Sequence, residues 1–422
     1  MCYISWFVSV VLTANKSRSL QHQRMELVEI SVDKLQFGMY VSKLDRPWAG
    51  TPFVFQGFVL RNDKQIDALK KYCKHVFVDP QKEEVQDVAR VTAEDIAKVR
   101  GSTVYQEAAS VEVEMPRAEK AYAGSTSVVS ELSRSVETGK SIDSPRAREA
   151  ATQITDSVVR NPDAMALLTK LQQKSSAILS RAVDISVNMT IFGRFLQLPP
   201  ETLEVLGMLG LLQDVGKLRL PVELATHGPI NAAEIELYRT HVNHSSQIVR
   251  ETPGLPADLS GYVSLHHERF DGSGYPRGLR GDAIALAGQI AGLVDSYDTL
   301  TAPKPFGENL SPANALSIVY KGRGTLFHAA LVEQFIQCIG VYPVGSVVEL
   351  NSGDIAVVVA QNMVRRMQPR IMVVKDAKGV PVIPYRILDL MREPKYRPDE
   401  PYRIVRSVED GTVSINAREM FL

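Results

Sequence analysis

Six of the eight histidines in this chain fall between residues 227 and 328, and His241, His244, His266 and His267 lie among Asp214, Glu268, Asp271, Asp295 and Asp298. Imidazole and carboxylate together make a nitrogen and oxygen ligand set suited to iron, manganese, nickel or zinc rather than calcium or magnesium. A lone histidine in such a stretch is more often a cap or a surface group than a ligand. The adjacent pair His266-His267 stands apart, because Glu268 and the glycine-rich turn Phe270-Asp271-Gly272-Ser273-Gly274-Tyr275-Pro276 follow it directly. Two neighbouring histidines at a helix end point to different metals, or to a metal and a substrate.

The elements that must position these residues read as helices. Asn161-Pro162-Asp163 combines an N-cap with a proline in the first turn, and Ala164, Leu167, Leu168, Leu171, Ser175, Ile178 and Leu179 follow at helical spacing. Further helices are expected at 181–197, 201–213, 231–251, 258–268, 283–301, 311–321 and 328–339, which makes an all-α bundle. Before it, residues 25–80 alternate strand and turn: Leu27–Ile30, Met39–Val41, Phe53–Phe55, Phe58–Leu60 and Val76–Val78, with a helix over 62–74. Residues 81–150 mix charge, serine and alanine, and read as charged helix or linker. After Gly340, segments 346–350, 355–360 and 370–374 are β-rich. The expected fold is therefore multidomain, with an appendage at 1–24, a small α/β module at 25–80, the linker at 81–150, the helical domain at 151–340 and a β-rich subdomain at 341–422.

Composition narrows the function classes. The 422 residues suggest two or three domains, and 45% apolar with 23% charged residues is the usage of a globular protein. Lysine plus arginine, at 48, equals aspartate plus glutamate, at 48, so no global positive field exists to attract nucleic acid. Three cysteines without a CxxC spacing fit a reducing cytoplasm. The apolar run from Cys2 to Ala14 is interrupted by Ser5 and Ser9 and falls short of the roughly 20 residues that cross a bilayer.

At the histidine pair the chain resembles the HD-GYP family of bacterial cyclic di-GMP phosphodiesterases. His266-His267-Glu268 through Gly274-Tyr275-Pro276 matches the family's HHExxDGxGYP signature. Leu211-Leu212-Gln213-Asp214-Val215-Gly216-Lys217 resembles its LLHDIGK element, and Asp295-Ser296-Tyr297-Asp298-Thr299-Leu300-Thr301 its DxYDALT element. Residues 27–80 look like the module of unknown function that often precedes such domains. The resemblance implies an HD-type helical bundle that holds two or three divalent transition-metal ions and hydrolyses cyclic di-GMP by in-line attack. By position it implies Asp214, His241, His266, His267 and Asp295 as metal ligands. It makes Asp214 and Lys217 catalytic, Lys217 by neutralising a phosphate oxygen, and assigns Lys217, Gly274, Tyr275, Pro276 and Lys304 to the substrate.

Three departures from the family pattern bear on activity. The namesake histidine is Gln213, a poor ligand for a borderline metal. A histidine expected one helix earlier is Arg181, whose charge repels cations or replaces one outright. Lys304 and Phe306 stand where an arginine and a tyrosine are usual, so the bidentate fork is lost. Fewer metal ions than in the intact site are expected, with cyclic di-GMP as partner. Two functions follow from different classes, a weak or active phosphodiesterase and a non-catalytic receptor acting through protein partners. The sequence leaves pairing into a homodimer open.

Overall fold

The computed structural model describes residues 27–36, 39–46, 51, 57–60, 63–78, 91–171, 177–301, 310–362 and 365–408. The strand expected at Phe53–Phe55, the appendage at 1–24, and Lys304 with Phe306 lie outside these residues. In the first module, β1 (Val28–Ser31), β2 (Tyr40–Leu44), β3 (Phe58–Val59), helix α1 (Asp63–Tyr72) and β4 (His75–Val78) follow in order. The strands join in the order β1-β4-β2-β3, with antiparallel pairings throughout. Alternate residues Val41, Val76 and Val78 point to one face and bury with Leu44, Leu60 and Leu69 in a core of their own.

A short helix α2 (Ala93–Val99) is capped by Thr92, which accepts from the Asp95 amide while Asp95 answers the Thr92 amide. An extended strap then crosses the bundle, its Gly101 and Thr103 amides donating to Leu196 and Gln197 at 2.9 and 3.0 Å. Two long helices follow, α3 (Val111–Glu137) and α4 (Ser144–Arg160). Of the stretch expected to be charged helix or linker, residues 111–137 and 144–150 are helical and bury against the bundle, and the boundary expected at 151 falls inside α4. On α3, Val111, Met115, Ala118, Tyr122, Ser125, Val129, Leu132 and Val136 are buried, one every third or fourth position. Half-hidden by alanine, serine and the charged opposite face, that stripe buries against Ala147, Ala151, Ile154 and Val158 of α4 in the main core. Glu114 of α3, fully buried, accepts a two-pronged hydrogen bond from Arg160 at 2.9 and 2.8 Å and a third from the Ser157 hydroxyl at 2.9 Å.

The rest of the bundle is α5 (Pro162–Leu171), α6 (Ala177–Phe195), α7 (Pro200–Leu212), α8 (Val222–His227), α9 (Ala232–Arg250), α10 (Leu259–Val263), α11 (Leu286–Thr301), α12 (Pro312–Lys321) and α13 (Ala329–Ile339). The helix expected over 258–268 ends at Val263, and its last residues are turn, so His266 and His267 project from a turn. Helices α6 and α7 run antiparallel and close. A Cβ on Gly210 would collide with the backbone of Ser186, whose hydroxyl donates to Gly207 O at 2.8 Å. Farther along, a Cβ on Gly193 would meet Leu203 and Leu206. This register continues to set Arg181 level with the turn after α7.

After the bundle, β5 (Val347–Leu350), β6 (Ile355–Ala360), β7 (Arg370–Lys375), β8 (Pro381–Asp389), β9 (Lys395–Arg397), β10 (Glu400–Pro401) and β11 (Ile404–Ser407) complete the described chain. Five of them form an antiparallel sheet in the order β11-β5-β6-β7-β8. The period of two divides β6 and β7 between two cores: Val357, Val359, Met372 and Val374 join the bundle, while Ala356, Val358, Ile371 and Val373 bury on the other face with Leu390 and Tyr402. The fold is thus a helical HD-type domain with a small strand module before it and a strand-rich segment after it.

Candidate metal centre

The site is built from two turns and one helix. At the end of α7, Gln213 makes the last helical bond, to Leu209 O at 2.8 Å, and the chain enters a tight turn over Val215–Arg219. Gly216 allows that turn to lie on α9, since a Cβ there would strike the backbone of His241 and Ser245; its amide donates to the Ser245 hydroxyl at 2.7 Å. His241 projects from α9, which Asn231 caps by accepting from the Glu234 amide at 2.9 Å. His266 and His267 lie on the turn after α10, which packs on α11 at Gly288 and Gly292, where added Cβ atoms would crowd Leu265 and His266 O.

Asp214, His241, His266 and His267 come together so that one ligand atom from each lies within 4.8 Å of the others, all four side chains buried. His241 Nδ1 contacts Tyr238 O at 2.6 Å, and His266 Nδ1 contacts Val263 O at 2.8 Å. A carbonyl only accepts, so each Nδ1 carries a proton and each ring turns its Nε2 inward. Those two Nε2 atoms lie 3.4 Å apart, and 3.5 and 3.6 Å from Asp214 Oδ1. The two Nε2 atoms and Asp214 Oδ1 thus converge on one point, and Asp214 Oδ1 has no hydrogen-bond partner among the described residues. Such a convergence offers a cation three ligand atoms at once, and the donor set suits a divalent transition metal.

Electrostatics agree with that role. Burial holds His241 neutral, its pKa drawn down to about 4, and burial also pushes His267 well below the usual imidazole range. Burial would raise Asp214, but Lys217 at 2.7 Å from Oδ2 together with His241 and His266 outweighs it and holds the carboxylate well below the usual range. In return Lys217, itself buried, stays charged against its desolvation and sits 5.4 Å from the Tyr238 ring centre.

The glycine-rich loop is fastened to the histidines. Glu268 accepts the Arg277 and Leu279 amides at 2.8 and 2.9 Å, one per oxygen. Gly274 packs where any Cβ would collide with Arg269 N, His267 O and Glu268 Cα, and the Tyr275 amide donates to His267 O at 3.1 Å. The Tyr275 ring stacks on His267, centroids 4.7 Å apart and planes 20° apart, and it is 9% exposed. Glu268, read in the sequence only as part of the motif, is the residue that shapes the loop.

Asp295, expected to close the metal site, pairs with Arg181. Arg181 Nη2 donates to Asp295 Oδ1 at 2.7 Å and to Thr299 Oγ1 at 2.5 Å, while Nε donates to Asp298 Oδ2 at 2.8 Å. Gln213, fully buried, finds no hydrogen-bond partner for either amide atom among the described residues. Gly274 and Tyr275 lie beside the centre, and Lys304 is outside the described residues.

A helical bundle with this histidine and aspartate cluster between two turns defines an HD domain. Residues 166–331 match the HD domain model, and residues 27–147 match the domain of unknown function DUF3391. Over 371 residues, 87% of this chain and 89% of the relative, the sequence is 28% identical to cyclic di-GMP phosphodiesterase PA4108 of Pseudomonas aeruginosa. It is 31% identical over 144 residues to the cyclic di-GMP phosphodiesterase response regulator RpfG of Xanthomonas campestris, covering 34% of this chain and 38% of the relative. It is 30% identical over 157 residues to 3'3'-cGAMP-specific phosphodiesterase 1 of Vibrio cholerae, covering 37% of this chain and 36% of the relative. An HD domain match at 166–331 thus follows a DUF3391 match at 27–147, and the chain is similar along most of its length to a cyclic di-GMP phosphodiesterase. No helix among the described residues is long and apolar enough to cross a membrane.

Proposed function

We propose that this chain is a cyclic di-GMP signalling protein whose centre holds one divalent transition-metal ion, binds the nucleotide, and hydrolyses it slowly or not at all. The observation that carries this reading is the contrast between the two halves of the site. On one side Asp214, His241, His266 and His267 converge their ligand atoms; on the other Arg181 already engages Asp295 and Asp298.

Asp214 Oδ1, the Nε2 atoms of His241 and His266, and a ring nitrogen of His267 would hold the ion. Iron, manganese, nickel or zinc there would supply a Lewis acid for a phosphodiester oxygen and for an attacking water. Lys217, 2.7 Å from Asp214, helps hold that carboxylate ionised and adds positive charge where a phosphate would collect it. Glu268 holds the loop whose Gly274, Tyr275 and Pro276 would border the nucleotide, and Lys304 would add a further cation. With one ion, the paired clamp on attacking and leaving oxygens is missing.

The second reading is an active metal-dependent phosphodiesterase. The uninterrupted loop from His266 to Pro276 favours it, as does similarity along most of its length to a protein named cyclic di-GMP phosphodiesterase. Balanced charge and sparse cysteine support a cytoplasmic setting for either. Calorimetric titration with cyclic di-GMP, alongside chromatography of the incubated nucleotide, separates them. Saturable binding with little linear dinucleotide or GMP is expected; rapid conversion would establish the enzyme. No binding and no conversion would leave protein contacts as this bundle's output. Substituting 3'3'-cGAMP as ligand tests the choice of base.

A further inference from the structure

We propose that the Arg181 guanidinium is the resident cation of a second position in this centre: it substitutes for a metal ion between Asp295 and Asp298, and it presents its free edge to a phosphodiester oxygen. This rests on the one-ion reading above and adds to it.

Asp295 and Asp298 are both buried, at 4% and 7% exposure, one helical turn apart on α11. Two carboxylates so placed and left alone would repel each other and lose their hydration, which makes the position attractive to any cation. Arg181 fills it, with Nε on Asp298 and Nη2 on Asp295 and Thr299. Burial opposes its charge, and the two aspartates reverse that and hold it more firmly protonated than a free arginine, with Asp214 contributing. The antiparallel register of α6 on α7 sets Arg181 level with Asp214, and Arg181 and Lys217 feel each other's charge. The guanidinium is therefore part of the same centre as the histidine cluster.

A metal ion would offer a phosphate an open coordination position. A guanidinium offers N–H groups instead, and in a fixed plane. The Arg181 bonds use Nε and Nη2, and Nη1 has no hydrogen-bond partner among the described residues although the side chain is 23% exposed. A phosphodiester oxygen accepting from Nη1 would satisfy that group without disturbing either aspartate. Gln213, at the end of α7, adds no charge to either side.

The test is the manganese stoichiometry of the full chain by elemental analysis and by equilibrium titration. The wild type and Arg181→Lys should each bind one ion. Arg181→Ser should bind a second, and Arg181→Ser with Asp298→Asn should return to one. A stoichiometry of one for folded Arg181→Ser, checked by circular dichroism, or of two for the wild type, overturns the proposal. If Arg181→Ser does not fold, Asp295→Asn with Asp298→Asn replaces it. Releasing the guanidinium from its acids should then weaken the remaining manganese site at least tenfold, and unchanged affinity counts against the proposal. For the free edge, Arg181→Lys should bind cyclic di-GMP at least tenfold more weakly than wild type at equal metal content, and equal affinity removes the phosphate role. Wild-type protein that binds one manganese but no cyclic di-GMP would defeat the nucleotide reading and the phosphate role together, while the stoichiometry series alone decides the resident cation.

Discussion

Gln213 and Asp214 are neighbours with opposite fates. Asp214 has Lys217 on one oxygen and two imidazoles facing the other, whereas the Gln213 amide is buried with donor and acceptor both unmet. Three expectations follow at this scale. Purified protein should carry at most one transition-metal ion per chain, and Asp214→Asn should abolish it; two stoichiometric ions in the wild type would mean that Gln213 or Asp295 ligates after all. Gln213→Leu, which keeps the volume and removes an unsatisfied amide, should leave metal content unchanged and leave stability unchanged or raise it by about 1 kcal/mol. Loss of metal in that variant would reveal the amide as a ligand. Restoring a histidine by Gln213→His should add little turnover while Arg181 remains.

Two turns join α9 in carrying the site's geometry, and each turn depends on one residue that lets it approach its support. Gly216→Ala drives a methyl group into the backbone of α9, and overpacking of that kind costs about 1–3 kcal/mol. Because His241 is on the struck segment, metal affinity should fall with stability, as thermal unfolding with and without added manganese would record. Glu268→Ala removes the acceptor of two loop amides. Hydrogen exchange at Arg277 and Leu279 should accelerate sharply, while amides within α6 and α7 keep their protection. Unchanged exchange at both loop amides would show that the loop is held by something other than Glu268.

Across the whole molecule, the bundle and the C-terminal sheet meet at Asp163, whose carboxylate accepts the Gln361 amide at 3.1 Å. Burial raises its pKa to about 7, with Glu107 adding to the rise and the Gln361 bond, Arg194 and Arg370 opposing it. The native state therefore binds a proton that the unfolded chain, with an ordinary carboxyl near 4, has released. Stability contributed here falls as pH rises between about 4 and 7, and the loss is complete above that window. Asp163→Asn keeps an acceptor for Gln361 and has no proton to lose. Its melting temperature should exceed that of the wild type at pH 8 and match it near pH 5; equal temperatures at both would rule out this titration.

Much of the centre was legible in the sequence because its ligands sit in short contiguous motifs, where spacing alone implies a shared turn. The resemblance of those motifs to the HD-GYP signatures singled out Asp214, and the adjacent His266-His267 pair stood out by itself. The stripe on α3 is as regular as any in the bundle, yet alanine and serine among its buried positions left that stretch readable only as charged helix or linker, so the sequence understated how far the core extends. The last strands, β8 to β11, gave no comparable signal, since most of their residues are exposed and no apolar alternation marks them. What only the tertiary structure decided is the choice of partners. Asp295 reads as a ligand from its motif, and the close antiparallel crossing of α6 and α7 is what delivers Arg181 to it from 114 residues away. Local pattern specifies which side chains are available; packing at Gly210 specifies which of them meet, because helix separation is set by atoms that have no periodic signature of their own.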